Sequence, residues 1–339
     1  MRSVAGVAVE SYTDEQISAA VAIFIGKEKP ETPEDLDCPS DDRETKFRRT
    51  EFGVLRKPQI RPDLQIRAEA LADYGSWIGR NFDRVLLVDK LRETRALVGF
   101  QRVVPRGQVD FVALKALLRR NPAPIAPNDW LPAYAVFGEG IFLELNAARL
   151  REWEERDVVR RRADALAGNY GSKHESSSDE LAALTPRFIL AHTLAHVLMN
   201  RLTFESGYSS AALRERLYVS SDPNGPMAAI MIYTAAGDAE GTMGGLVRMG
   251  RPDRLGPALR RSVDEARWCS ADPVCMEIGD HGGQGPESCN LAACHNCALV
   301  PETACEHFNR FLDRGMLIGS VNQPELGFFV NGPEIRGTE

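Results

Sequence analysis

The chain has 339 residues, 43% of them hydrophobic and 26% charged, with a formal net charge of −7. These totals describe a globular protein with material for a sizeable core and a length that suggests about two domains. The acidic excess argues against a broad basic surface that grips nucleic acid unaided, and no segment has the roughly 20 continuous apolar residues of a membrane helix.

The N-terminus, MRSVAGVAVESYTDEQ, has one arginine and a weak apolar run that soon turns acidic. It is a poor secretory signal, so the expected location is cytoplasmic. Thr13 and Gln16 fit a capping box ahead of the apolar run from Ile17, and EKPETPEDLDCPSDD reads as a surface loop holding Cys38. RETKFRRTEFGVL predicts a short helix with Phe47 and Phe52 as anchors. FDRVLLVDKLRETRALVGF has apolar residues at helical spacing up to Gly99, and FQRVV reads as a strand. A helix follows over DFVALKALLRR, then a linker loop, NPAPIAPND.

WLPAYAVFGEGIFLELN predicts two strands joined near Gly138–Gly140. Asn146 is placed to cap one long polar helix, AARLREWEERDVVRRRADAL, with opposite charges at Glu152/Arg156 and Asp157/Arg161. Its Arg160–Arg162 run reads as a solvated face. NYGSKHESSSDE is the expected boundary between an N-terminal α/β region, 1–172, and a second domain, 173–339. Thr185 and Pro186 then open a strongly apolar helix, PRFILAHTLAHVLMNRLTF, which Gly207 ends. YSSAALRERLYV predicts a second helix, MAAIMIYTA a buried strand, GDAEGTMGGLVRMG a glycine-rich turn and LGPALRRSVDEARW a helix leading to Cys269.

Six of the seven cysteines fall between residues 269 and 305. An odd number, clustered in one loop-rich segment, does not describe a secreted disulfide framework. Cys269 with Cys275 (C-x5-C) and Cys294 with Cys297 (C-x2-C) have metal-ligand spacing, and the glycine-rich EIGDHGGQGPE between them can bend to bring the pairs together. Four thiolates suit one tetrahedral Zn2+ at about 2.3 Å each. A shell filled by sulfur leaves no position for water, so the expected metal is structural, one per chain. Four thiolates around a dication also leave about −2 for neighbouring donors to offset. Cys289 and Cys305 are additional thiols, at least one of them expected to be a small buried hydrophobe.

ACHNCALVPETACEHFNRFLDR, with WCSADPVC before it, resembles the zinc-binding domain named after the helicase MrfA. More closely, the chain resembles the DrmB proteins of DISARM anti-phage systems. LRETRALVGFQRV, WLPAYAVFGEGIFLEL, ILAHTLAHVLMNRLTFESGYSSAALRERLY and IMIYTAAGDAEGTMGGLV carry the likeness in order, from about residue 40 to 320. The resemblance implies a helicase-like partner of the DrmA type and places the family's metal-binding pairs on Cys269 with Cys275 and Cys294 with Cys297, within a zinc segment at 268–314. DrmB proteins usually have a further N-terminal region, and this chain is read as starting within or after it. No G-x-x-x-x-G-K-[ST] loop is present, so ATP hydrolysis is expected from the partner, and DNA contact through the complex.

His192 and His196 in HTLAH lie one helical turn apart, but the position a zincin fills with glutamate is Thr193. Hydrogen-bonded core or interface residues are the expected role. Glu139 is the candidate partner if they form a polar site. SGYSSAALRERLY admits a helix-turn-helix that would aim Arg214 and Arg216 at DNA, against an ordinary helical hairpin. Arg310 and Arg314, beside the zinc segment, either offset its charge or contact phosphate. The expected protein is thus a mixed α/β (α+β), helix-rich accessory subunit with a small C-terminal zinc-binding module and no chemistry of its own. A metal-dependent hydrolase using His192, His196 and Glu139, or a thiol redox sensor, are the alternatives.

Overall fold

A computed structural model describes residues 40–96, 133–172, 181, 183–234, 244–278 and 282–330. The expected N-terminal helix, the elements from FQRVV to NPAPIAPND, Cys38 and most of the NYGSKHESSSDE and GDAEGTMGG segments lie outside these residues. Residues 43–93 and 136–339 make one compact unit; of the other, 1–42 with 94–135, short pieces alone are described. Among the described residues are nine α-helices and a six-stranded sheet, the helix-rich α+β class expected.

The strands are β1 (Gln59–Ile60), β2 (Leu64–Ala68), β3 (Phe82–Ala96), β4 (Ala133–Leu145), β5 (Leu213–Ser220) and β6 (Met227–Thr234), in the order β1-β2-β3-β4-β6-β5. Both faces of the sheet are covered. On one, Leu86, Val88, Phe142, Tyr218 and Met231 pack against Phe52 and Leu55 of helix α1 (Ser40–Leu55). On the other, Val85, Ile141, Leu143, Leu217, Ile230 and Ile232 join the larger core, as does Ile78 of helix α2 (Ser76–Asn81). Phe52 is therefore the anchor expected of α1, whereas Phe47 is exposed.

Burial on both faces explains three departures from the sequence reading. FDRVLLVDKLRETRA is strand β3 and not a helix, because a continuous apolar run of this kind carries no period that tells strand from helix. LRERLYVS is strand β5, paired with β6 along its whole length from Leu213↔Thr234 to Ser220↔Met227. Its alternation sends Leu213, Glu215 and Leu217 to one side and Arg214, Arg216 and Tyr218 to the other. The helix-turn-helix is thereby excluded. The two strands expected around Gly138–Gly140 are one, β4, with Gly140 opposite Tyr233. A Cβ at Gly140 would stand 2.9 Å from the Ile232 carbonyl oxygen and 2.9 Å from the Met231 methyl carbon, so glycine serves close packing there and not a turn.

The long polar helix is broken in two. Asn146 caps α3 (Ala147–Glu154) by accepting from Arg149 N–H, and α4 (Asp157–Gly171) starts anew after an extended Arg156. A straight helix cannot turn Trp153 and the Val158–Val159 pair to one face, and all three are buried. Asp157 pairs with Arg160, not Arg161.

Helix α5 (Pro186–Ser206) runs through the middle of the larger core. The Thr185 hydroxyl caps it, Pro186 occupies the first turn, and Gly207 ends it at φ 83°, all as expected. Every residue from Arg187 to Met199 is buried, so the helix is apolar around its circumference. It packs against β5, β6, α6 (Gly245–Met249) and α7 (Pro252–Glu265). Its one buried cation, Arg187, makes a two-pronged pair with Glu154 at 2.8 and 2.6 Å and donates to the Ser220 carbonyl oxygen. Replacing Gly140 by valine is expected to lower unfolding free energy by about 1–3 kcal/mol through overpacking. The denaturant midpoint should fall with an unchanged slope, and an unaltered midpoint would mean that the β4–β6 contact has room to spare.

Candidate metal centre

The segment after α7 has short helical turns, α8 (Val274–Glu277) and α9 (Gly315–Ile318), and otherwise irregular backbone. Its polar groups are satisfied by buried side chains where a ladder would otherwise serve. Asn290 donates to the Asn309 carbonyl oxygen and accepts from Leu312 N–H. Asn309 in turn donates to the Val300 carbonyl oxygen and accepts from Val300 N–H. Asp313, fully buried, pairs with Arg162 at 2.8 Å and accepts from Gly315 and Ala292 N–H, while its own N–H donates to Thr193 on α5. Arg162 thus belongs to an internal pair, unlike the solvated face expected for it. These bonds fix the frame on which the cysteines sit.

Cys269, Cys275, Cys294 and Cys297 converge so that their sulfurs all lie within 4.8 Å of one another. Cys269 stands 3.4 Å from Cys294, Cys275 3.9 Å from Cys297, and Cys294 3.8 Å from Cys297. A tetrahedron of sulfurs at about 2.3 Å from a central ion has edges of about 3.8 Å, whereas a disulfide requires about 2.05 Å. The four thiols fit a single zinc ion. Gly283 and Gly285, at φ 83° and 74°, supply the bend that returns the second pair to the first.

N–H groups point at the sulfurs, as an anionic cluster requires. Ala271 N–H donates to Cys269, Cys294 N–H to Cys297, and the Gln284 amide to Cys275 at 3.3 Å. Arg314 is buried beside them, donating to the Ala266 carbonyl oxygen and pairing with Asp272, whose other oxygen accepts from Cys269 N–H. The Cys297 S–H, then Gln284 and the Arg314 guanidinium, outweigh burial and bring the Cys275 thiol down to about 5. Burial foremost raises Cys269 to about 11. A dication that binds the four sulfurs displaces their remaining thiol protons.

The other residues singled out from the sequence fall as follows. Arg314 is 0% exposed, so it offsets the charge of the sulfurs and cannot reach a phosphate. Arg310 lies over the rings of Tyr170 and Phe311 and pairs with Glu287 at 3.3 Å. Arg216 holds Glu51 of α1 at 2.8 Å and Glu306 at 3.2 Å, and Arg214 stands opposite Tyr233 in the ladder. Cys289 is buried in the core as a small apolar residue.

Glu139 is not the partner of the histidines. It accepts from the Tyr208 hydroxyl and from Leu246 N–H, because the middle of β4 lies beside the start of α6. The carboxylate at the histidines is Glu215, which the helical reading of RERLY had turned elsewhere. Its oxygen lies 3.1 Å from His192 Nε2 and 3.6 Å from His196 Nε2, and Cys305 Sγ lies 3.2 Å from His192 Nε2. Burial holds the His192 imidazole below its ordinary value. LRERLYVS carried no local signal for Glu215, because Leu213 and Leu217 at i and i+4 fit a helix as well as a strand.

The family model for the MrfA Zn-binding domain matches residues 194–298, a span that encloses all four clustered cysteines. The chain is 35% identical over 251 residues to the DISARM protein DrmB of Bacillus paralicheniformis, which takes in 73% of this chain and 43% of that protein. The chain thus spans less than half the length of that relative. Arg314→Met should weaken zinc binding about 10- to 100-fold in a chelator competition, and Arg310→Met should leave it unchanged. Equal affinity in the Arg314 variant would assign the charge offset to the N–H donors alone.

Proposed function

We propose that this chain, a DrmB-type protein carrying the MrfA Zn-binding domain, is a non-catalytic subunit of an anti-phage defence complex and works beside a helicase-like protein of the DrmA type. The observation that carries this reading is the closed shell of Cys269, Cys275, Cys294 and Cys297. An ion held by four sulfurs has no open position for water or substrate, so its contribution is to shape. The sequence carries no phosphate-cradling loop, so in this reading nucleotide hydrolysis falls to the partner. In this reading the acidic balance leaves DNA binding to the complex, with Arg214, Arg216 and Arg310 as partly exposed candidates to contribute.

In this reading residues 173–339 are the zinc-carrying domain, and the zinc makes a rigid surface for the motor. Trp268 and Val274 each immediately precede a zinc ligand and are 71% and 65% exposed. Large apolar side chains held in water beside a rigid turn are the groups a partner would cover. Co-expression with a helicase-like protein encoded beside this chain is expected to yield a stable complex, with ATPase activity in the complex and none in the chain alone. Trp268→Ala should weaken co-purification at least tenfold without loss of zinc. Robust ATP hydrolysis by the purified chain would remove the non-catalytic assignment, and undiminished capture of the Trp268→Ala variant would remove the docking surface.

A further inference from the structure

Apart from the sulfur cluster, four side chains that no chemistry so far described employs meet inside the core. His192 and His196 come from α5, Glu215 from β5 and Cys305 from the irregular segment, and all four are buried. One ligand atom from each lies within 4.8 Å of the others. The separations of 3.1, 3.2 and 3.6 Å fall near the edges of about 3.3–3.6 Å that a tetrahedron of nitrogen, oxygen and sulfur ligands has around zinc.

The hydrogen bonds orient the donors. His196 Nδ1 stands 2.8 Å from the Ala298 carbonyl oxygen, which can only accept, so Nδ1 carries the proton and the Nε2 lone pair faces inward. That nitrogen has no hydrogen-bond partner, and neither has Glu215 Oε2. A lone pair aimed at a carboxylate in a dry core is unfavourable unless a cation lies between them. Cys305 Sγ accepts from His307 N–H at 3.3 Å and from Asn309 N–H at 3.2 Å, the kind of donors that support a metal-bound thiolate. Ala271 N–H makes the same contact, two residues on, to Cys269 in the four-cysteine cluster.

We propose that His192 Nε2, His196 Nε2, a Glu215 carboxylate oxygen and Cys305 Sγ form a second, closed zinc site that fastens the segment carrying Cys305 to α5 and β5. Two neutral imidazoles, one carboxylate and one thiolate around Zn2+ sum to no net charge, which suits an enclosure without water. Nitrogen and sulfur donors of mixed softness select zinc over magnesium or calcium. The shell is complete, so this ion, like the one at the four cysteines, is structural.

The test is the metal content of the full chain, expressed with zinc supplied and desalted. Elemental analysis and native mass spectrometry are expected to give two zinc ions per chain, falling to one in Cys305→Ser and in His196→Gln. Should either variant fail to fold, zinc-edge absorption of the unaltered protein decides. Five sulfur and three nitrogen or oxygen ligands shared over two ions are expected from the two clusters. One zinc per chain with sulfur neighbours alone would overturn the second site while leaving the four-cysteine site intact. Two ions that both persist in the folded Cys305→Ser and His196→Gln variants would overturn it as well.

Discussion

Four sulfurs gathered within a few ångströms cannot stay together as free thiolates, and everything after α7 is arranged around that repulsion. A dication removes half of the charge, and the remainder falls to groups already in position. Arg314 is buried with one hand on Asp272 and the other on the Ala266 carbonyl, so it cannot swing away to solvent. Asp272 also receives the Cys269 N–H, which makes the counter-charge and the first ligand parts of one hydrogen-bonded unit. The zinc segment needs this because it has almost no regular structure of its own. Metal, arginine and a few buried amides stand in for a ladder.

Helix α5 is the wall against which this irregular segment is built. Thr193 accepts from Asp313 N–H, His196 faces the Ala298 carbonyl oxygen, and His192 reaches Cys305. The same helix lies on β5 and β6 and receives the bulk of the apolar core. A polar face this small inside so apolar a helix costs desolvation, and the cost is offset in part where Thr193, His192 and His196 meet partners from distant parts of the chain. The zinc segment and the sheet are therefore coupled through one rigid element. That coupling is what lets a metal bound at the four cysteines bear on the shape of the whole unit.

Glu306 extends the coupling to the opposite side of the sheet. Its carboxylate takes Arg216 from β5 and Arg48 from α1, and accepts Leu217 N–H. One residue past Cys305, it links the irregular segment to the helix that covers the other face. Arginines that an acidic chain could have offered to nucleic acid are spent on internal architecture. Arg162, Arg187, Arg216 and Arg314 all hold buried or half-buried carboxylates.

Local chemistry was legible in the sequence. The Thr185–Pro186 start and Gly207 stop of α5, the Asn146 cap, the buried β6 and the two cysteine pairs each depend on neighbours a few residues away, and each was read correctly. Strand against helix in FDRVLLVDK and LRERLYVS, and strand against turn at Gly140, depended on what lies on both sides of a sheet. Apolar period vanishes when both faces are buried, so no window of the chain holds that information. The partner of the histidines was hidden for the same reason: Glu215 reaches them only because β5 is a strand whose odd positions face α5. Residue type and spacing determined by themselves that this chain can bind zinc through sulfur. Which carboxylate, which arginine and which thiol stand beside which was decided by packing, since those distances are set by elements that meet only after the chain has folded.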